Sequence, residues 1–138
     1  MNSSQSHLTH EQFIATAIEA INTEKAALSL LTEQIDDRFA QACDIILACK
    51  GRLVVTGMGK SGLIGRKIAA TFASTGTPAF FMHPGEAGHG DLGMLVRGDV
   101  LLAISNSGEY DKIKNKKKDI KKIDIPLIRM SRDKRGML

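Results

Sequence analysis

At 138 residues the chain has room for one domain with its own core, and not for two. Apolar residues make up 43% and charged residues 25%, values of a globular protein; no apolar run approaches the roughly 20 residues of a membrane helix. The net charge of +4 is unevenly placed: residues 1–108 carry 8 Lys/Arg against 10 Asp/Glu, and residues 109–138 carry 11 against 5.

The start, MNSSQSHLTHEQ, lacks the basic and apolar regions of a secretory signal. Residues 1–9 read as a flexible polar end, with His7 and His10 solvated. Thr9 and Gln12 are spaced as a capping box, in which hydroxyl and amide satisfy each other's backbone donors. Phe13, Ile14, Ala17, Ile18, Ile21, Leu28 and Leu31 then recur at helical spacing. Asp36 or Asp37 caps a second helix, with a stripe of Phe39, Ala42, Cys43, Ile46 and Leu47 and with Gly51 as its C′ residue. Cys43 and Cys49, six apart, make neither a disulfide framework nor a CxxC metal motif, which fits a reduced cytoplasmic compartment.

From residue 51 the period changes. Leu53-Val54-Val55 reads as a buried strand, Gly57 to Gly62 as a glycine-rich turn, and Leu63 to Ser74 as a helix. Ala79 to Met82, Val100 to Ile104 and Ile125 to Met130 read as further strands, with loop and a short helix over 83–98 and a nominal helix over 109–123. Strands alternating with helices imply a parallel sheet, so the expected class is α/β, a three-layer αβα fold of Rossmann type. The run IKNKKKDIKKIDI is of low complexity, and Ile113, Ile120 and Ile123 give it only a thin apolar stripe. It is read as a solvated face and not as a nucleic-acid patch, since only Tyr110 could stack on a base there.

Three segments carry candidate chemistry. Gly57-Met58-Gly59-Lys60-Ser61-Gly62 matches GxGxxG between a strand and a helix, where free N–H groups favour an anion. A dinucleotide site would also want an acidic residue closing the second strand, and here that strand runs into His83-Pro84-Gly85. Lys60 and Ser61 therefore point to one anionic group, against the alternative of a plain turn without a ligand. Ser105-Asn106-Ser107-Gly108 is either a second anion cradle or an ordinary N-cap. His83, Glu86, His89 and Asp91 share one loop and are suited to proton transfer or metal ligation, or to capping alone.

Residues 51–109, with STGTP, HPGEA, HGDLGM and ISNSGE, closely resemble the sugar isomerase (SIS) domain of bacterial arabinose-5-phosphate isomerases. The resemblance implies a five-stranded parallel sheet between helices, assembled as a homo-oligomer, usually a tetramer. It implies reversible conversion of D-ribulose 5-phosphate and D-arabinose 5-phosphate, feeding the lipopolysaccharide sugar Kdo, with no cofactor and no nucleic-acid or membrane partner. Lys60 falls on the family's catalytic lysine, and His89 is assigned to proton handling. Gly59, Ser61, Gly76, Thr77, His83, His89, Ser105, Asn106 and Ser107 are the implied substrate-binding set. His83 also falls on a position that can take an inhibitory zinc.

The chain departs from the family where Lys112 replaces a glutamate important for catalysis, and where Lys116 and Lys117 replace apolar residues. It stops after the fourth counted strand. The expected organisation is thus a partial SIS domain over 10–138, with a helical lead-in at 10–50, an αβ core at 51–138 and no CBS pair. An inactive phosphosugar-binding module is the alternative to an isomerase.

Overall fold

The computed structural model describes residues 7–85, 91–106 and 122–132. Two compact units divide it, Met1–Ala40 and Gln41–Leu138. The first is dominated by α1, His10–Thr32, whose 23 residues contain neither Gly nor Pro. Its start is the expected capping box: Gln12 N–H donates to Thr9 Oγ1 at 3.2 Å, and Thr9 N–H to Gln12 Oε1 at 2.7 Å. His10 is thus the first helical residue. No residue of α1 is buried in this chain, so its apolar stripe lies exposed.

α2, Asp37–Leu47, begins where Asp36 Oδ1 accepts the Arg38 N–H at 3.0 Å, which makes Asp36 the cap. The inner face agrees with the expected stripe at Ala42, Cys43 and Ile46, which are half-buried, and departs from it elsewhere. Ile45, Ile46 and Cys49 pack on the core, while Phe39 and Leu47 are exposed. The expected and observed stripes share Ile46, and packing decides which of its neighbours join it. Gly51 is not the cap of this helix: it lies four residues past its end, and a Cβ on it would stand 2.4 Å from Asp99 Oδ1.

The sheet has four described strands, all parallel, in the order β2-β1-β3-β4. These are β1 (Leu53–Gly57), β2 (Ala79–Phe81), β3 (Val100–Ser105) and β4 (Leu127–Ser131). β1 is central and every residue of it is buried, as befits a parallel strand covered on both faces. Leu53 and Val55 join Ala69, Val100 and Leu102 on the face that Ile45, Ile46 and Phe72 cover. Val54 joins Met82, Leu95, Leu101 and Ile125 on the other. The crossover helix α3 is Gly59–Ser74. The nominal helix at 109–123 lies almost wholly outside the described residues.

Asp99, fully buried, holds the amino ends of β1 and β3 together. Its carboxylate accepts N–H groups from Arg52 at 2.8 Å and Val96 at 3.0 Å, and pairs with the Arg52 guanidinium at 3.4 Å. Arg52 also donates to Met94 O at 2.7 Å and covers the Phe80 ring at 4.8 Å. Burial pushes the Asp99 carboxyl up, but the Val96 and Arg52 N–H groups and the Arg52 charge outweigh it and hold it below its ordinary value.

A carboxylate depressed by folding stabilises the native state above the unfolded value of about 3.9, and that contribution fades as pH falls below it. Urea melts of the Asp99→Asn variant should show a loss of about 2 kcal/mol at neutral pH, because an amide N–H₂ would face donors. The gap to wild type should narrow as the pH is lowered past 4. A constant gap would show that the charge contributes nothing.

Candidate functional site

β1 and β3 lie side by side, with Gly57 level with Ile104. After β1 the chain passes to β2 on one flank and then crosses to β3 on the other. Strand order therefore reverses between β1 and β3. The crevice that ligands occupy in open α/β sheets lies beyond the carboxyl ends of these two strands.

Two segments meet at that rim. The first is shorter than the sequence suggests: β1 runs to Gly57 and α3 begins at Gly59, so Met58 alone is the connection. Lys60, Ser61 and Gly62 are thus first-turn helix residues. Met58 offers no side-chain cap, and the first turn holds no acidic residue. Neither a Met58 side-chain cap nor a first-turn carboxylate therefore offsets the α3 backbone donors and the positive end of the helix dipole. Lys60 is exposed and Ser61 half-buried. The second segment is Ser105, which closes β3, and Asn106 after it.

Close approach explains the glycines. A Cβ on Gly62 would stand 2.6 Å from the Gly57 carbonyl oxygen. One on Gly57 would meet Ile104 O and the Ser61 backbone near 3.0 Å. Gly65 and Ala69 continue this small-residue face, with a Gly65 Cβ placed 3.1 Å from the Phe81 ring and 3.2 Å from Val55. Leu63 and Ile64 are consequently exposed. Gly59 differs from the others: nothing crowds it, but its φ of +57° favours glycine.

His83 joins the same rim from the β2 side. Met82 N–H donates to Val55 O at 2.9 Å, carrying the ladder past the end of β2, and His83 comes next. It is half-buried, and its Nδ1 accepts the Gly85 N–H at 3.0 Å. Gly76 and Thr77 are not with the others. They precede β2, whose first residue is level with Leu53, and so lie at the amino edge. The length of α3, about 24 Å at 1.5 Å per residue, separates the two edges. The grouping of Gly76 and Thr77 with Lys60 does not hold within one chain, because α3 carries the backbone across the sheet between them. His89, Ser107, Glu86 and Lys112 lie outside the described residues. Among the described residues no three His, Cys, Asp or Glu side chains converge as a metal site, and no helix is long and apolar enough to cross a membrane.

Sequence reading passes over Thr56, next to Gly57. It is buried, and its hydroxyl has no hydrogen-bond partner among the described residues. The signal was a polar residue closing an otherwise apolar strand.

Residues 46–131 match the family described as SIS domain. The arabinose 5-phosphate isomerase KdsD of Francisella tularensis is 52% identical over 128 residues, 91% of this chain and 39% of that protein. That of Escherichia coli O157:H7 is 56% identical over 110 residues, 80% of this chain and 34% of the relative. The chain therefore spans between a third and two fifths of the length of these relatives. Among solved structures, an Escherichia coli CFT073 protein in complex with arabinose 5-phosphate has a TM-score of 0.86 at 40% identity, covering 95% of this chain and 70% of its own.

The Gly57–Gly62 contact sets a measurable order of sensitivity. Gly62→Ala should cost about 3 kcal/mol in urea unfolding, the upper range for forcing a methyl group into packed backbone. Gly59→Ala should cost about 1 kcal/mol, from its positive φ alone. The reverse order would show that the helix is not seated on Gly57.

Proposed function

The chain belongs to the SIS domain family, and we propose that its β1–β3 rim binds a phosphosugar and interconverts D-ribulose 5-phosphate and D-arabinose 5-phosphate. The observation that carries this reading is the open N-terminus of α3, flanked by Lys60 and Ser61 and set beside the end of β3. The names of the relatives and the arabinose 5-phosphate bound to the Escherichia coli structure support the substrate class.

In this reading the phosphate is held by α3 N–H groups, Ser61, Ser105, Asn106 and Ser107. Hydroxyl and amide donors match phosphoryl oxygens, and the helix dipole favours their charge. Isomerisation moves one proton between adjacent carbons through an enediol: a base removes it from the carbon beside the carbonyl, and an acid delivers it to the other. The carbonyl oxygen gains negative charge on the way, and Lys60 is the cation assigned to stabilise it. His89 is assigned to handling the proton. The product would supply lipopolysaccharide synthesis in the cytoplasm.

A homo-oligomer is part of the same proposal. α1 has no buried residue, yet carries Phe13, Ile14, Ile18, Ile21, Leu28 and Leu31 as exposed apolar side chains. A face of that kind is normally covered. Gly76 and Thr77 fall at the far edge of their own chain, so their role in binding would be exercised toward another copy.

The second reading is a phosphosugar-binding module without turnover. Lys112, standing where the family has a glutamate, favours it, because a lysine reverses the charge and is no carboxylate base.

D-Arabinose 5-phosphate in the millimolar range should raise the melting temperature, since only a ligand that prefers the native state does so. No shift with any five-carbon phosphosugar would refute both readings, whereas a shift without turnover would select the second. If turnover is found, Lys60→Ala should lower kcat/KM about 100-fold while leaving the melting temperature of the free protein in place. Light scattering should show an oligomer, and a clean monomer would count against the covered α1 face.

A further inference from the structure

We propose that His83 is locked as its Nε2–H tautomer by the Gly85 amide, so that it presents a hydrogen-bond donor to the rim and is not built to take a metal. A neutral imidazole carries one N–H and one lone pair. Gly85 N–H donates to Nδ1 at 3.0 Å, which uses the lone pair and leaves the proton on Nε2. Gly85 lies close against the ring: a Cβ on it would stand 3.0 Å from Nδ1 and 3.2 Å from Cε1. Pro84 between them is buried, and its ring fixes the turn.

The zinc implied by the family resemblance does not fit this arrangement. A metal-bound histidine ordinarily donates its second ring N–H to a carbonyl or carboxylate. Here a metal on Nε2 would force the proton to Nδ1, where it would face the Gly85 N–H, donor against donor. A metal on Nδ1 would have to displace that amide. Either route opens the His83-Pro84-Gly85 turn. An Nε2–H is suited instead to an oxygen acceptor, and the phosphosugar reading identifies that acceptor as a sugar hydroxyl or carbonyl; this last assignment rests on that reading.

The test is a long-range proton–nitrogen correlation spectrum of the full chain, labelled with ¹⁵N-histidine, at pH 8. His83 is identified by the signals lost in His83→Asn. The Nε2–H pattern is expected, and it should persist with one equivalent of zinc chloride. An Nδ1–H pattern in the free protein, or a switch to Nδ1–H with a metal-shifted Nε2, overturns the proposal. His83→Asn supplies the second arm. Its side-chain oxygen can still accept the Gly85 N–H as an Asx-turn, but it has no donor at the Nε2 position. The variant should keep its melting temperature and bind D-arabinose 5-phosphate about 10-fold more weakly, about 1.4 kcal/mol. Unchanged affinity overturns the donor role. A wild-type protein that binds no phosphosugar refutes the functional reading while the tautomer is still decided by the spectrum.

Discussion

Everything at the β1–β3 rim depends on one backbone contact. α3 starts two residues after β1 ends, and its first turn presses onto the last strand residue. Gly62 lies against the Gly57 carbonyl with no space for a methyl group, and Gly57 lies against both Ile104 and Ser61. This contact sets where the α3 donors begin and brings Lys60 and Ser61 to the rim where β3 ends. A larger residue at either glycine would lift the helix from the sheet, and the position of the α3 N-terminus beside β3 would go with it.

The two ends of the sheet are built on opposite principles. At the amino edge Asp99 gathers two backbone N–H groups and a guanidinium, so its buried charge is matched. At the carboxyl edge the α3 N-terminus carries no side-chain cap, Lys60 stands in solvent and the Thr56 hydroxyl has no partner among the described residues. The matched charge at the amino edge and the uncapped helix start at the carboxyl edge are the main electrostatic difference between the two ends of the sheet among the described residues. The Gly85–His83 bond fixes one side chain of that rim, which is why the histidine's tautomer can be read from the turn.

Membership in the SIS domain family explains why so small a chain carries so many glycines in one stretch. The motif glycines have packing and backbone roles of their own, whatever the rim binds. Gly57, Gly62 and Gly65 serve the approach of helix to sheet, and Gly59 serves the bend. A dinucleotide fingerprint would show the same letters, so the string GxGxxG distinguishes neither ligand. What separates the readings is the neighbourhood: a histidine turn, not an acidic residue, follows β2.

The sequence by itself determined the capped start of α1, the four strands, the parallel α/β class and the two segments that meet at the rim. All of these follow from local chemistry: capping residues, apolar runs of strand length and glycines between strand and helix. Tertiary structure alone decided what depends on distance. It set Ile45 and Cys49, and not Phe39 and Leu47, beside the expected Ile46 on the inner face of α2 and the turn after it, because helical spacing allows either choice. It turned Leu63 and Ile64 outward, since the glycine and alanine face of α3 is the one that fits against β1 and β2. It converted Gly51 from a helix cap into room for the Asp99 carboxylate. It also separated Gly76 and Thr77 from Lys60 by the length of a helix, which no one-dimensional motif records, because residues close in sequence are carried to opposite edges by the crossover between parallel strands.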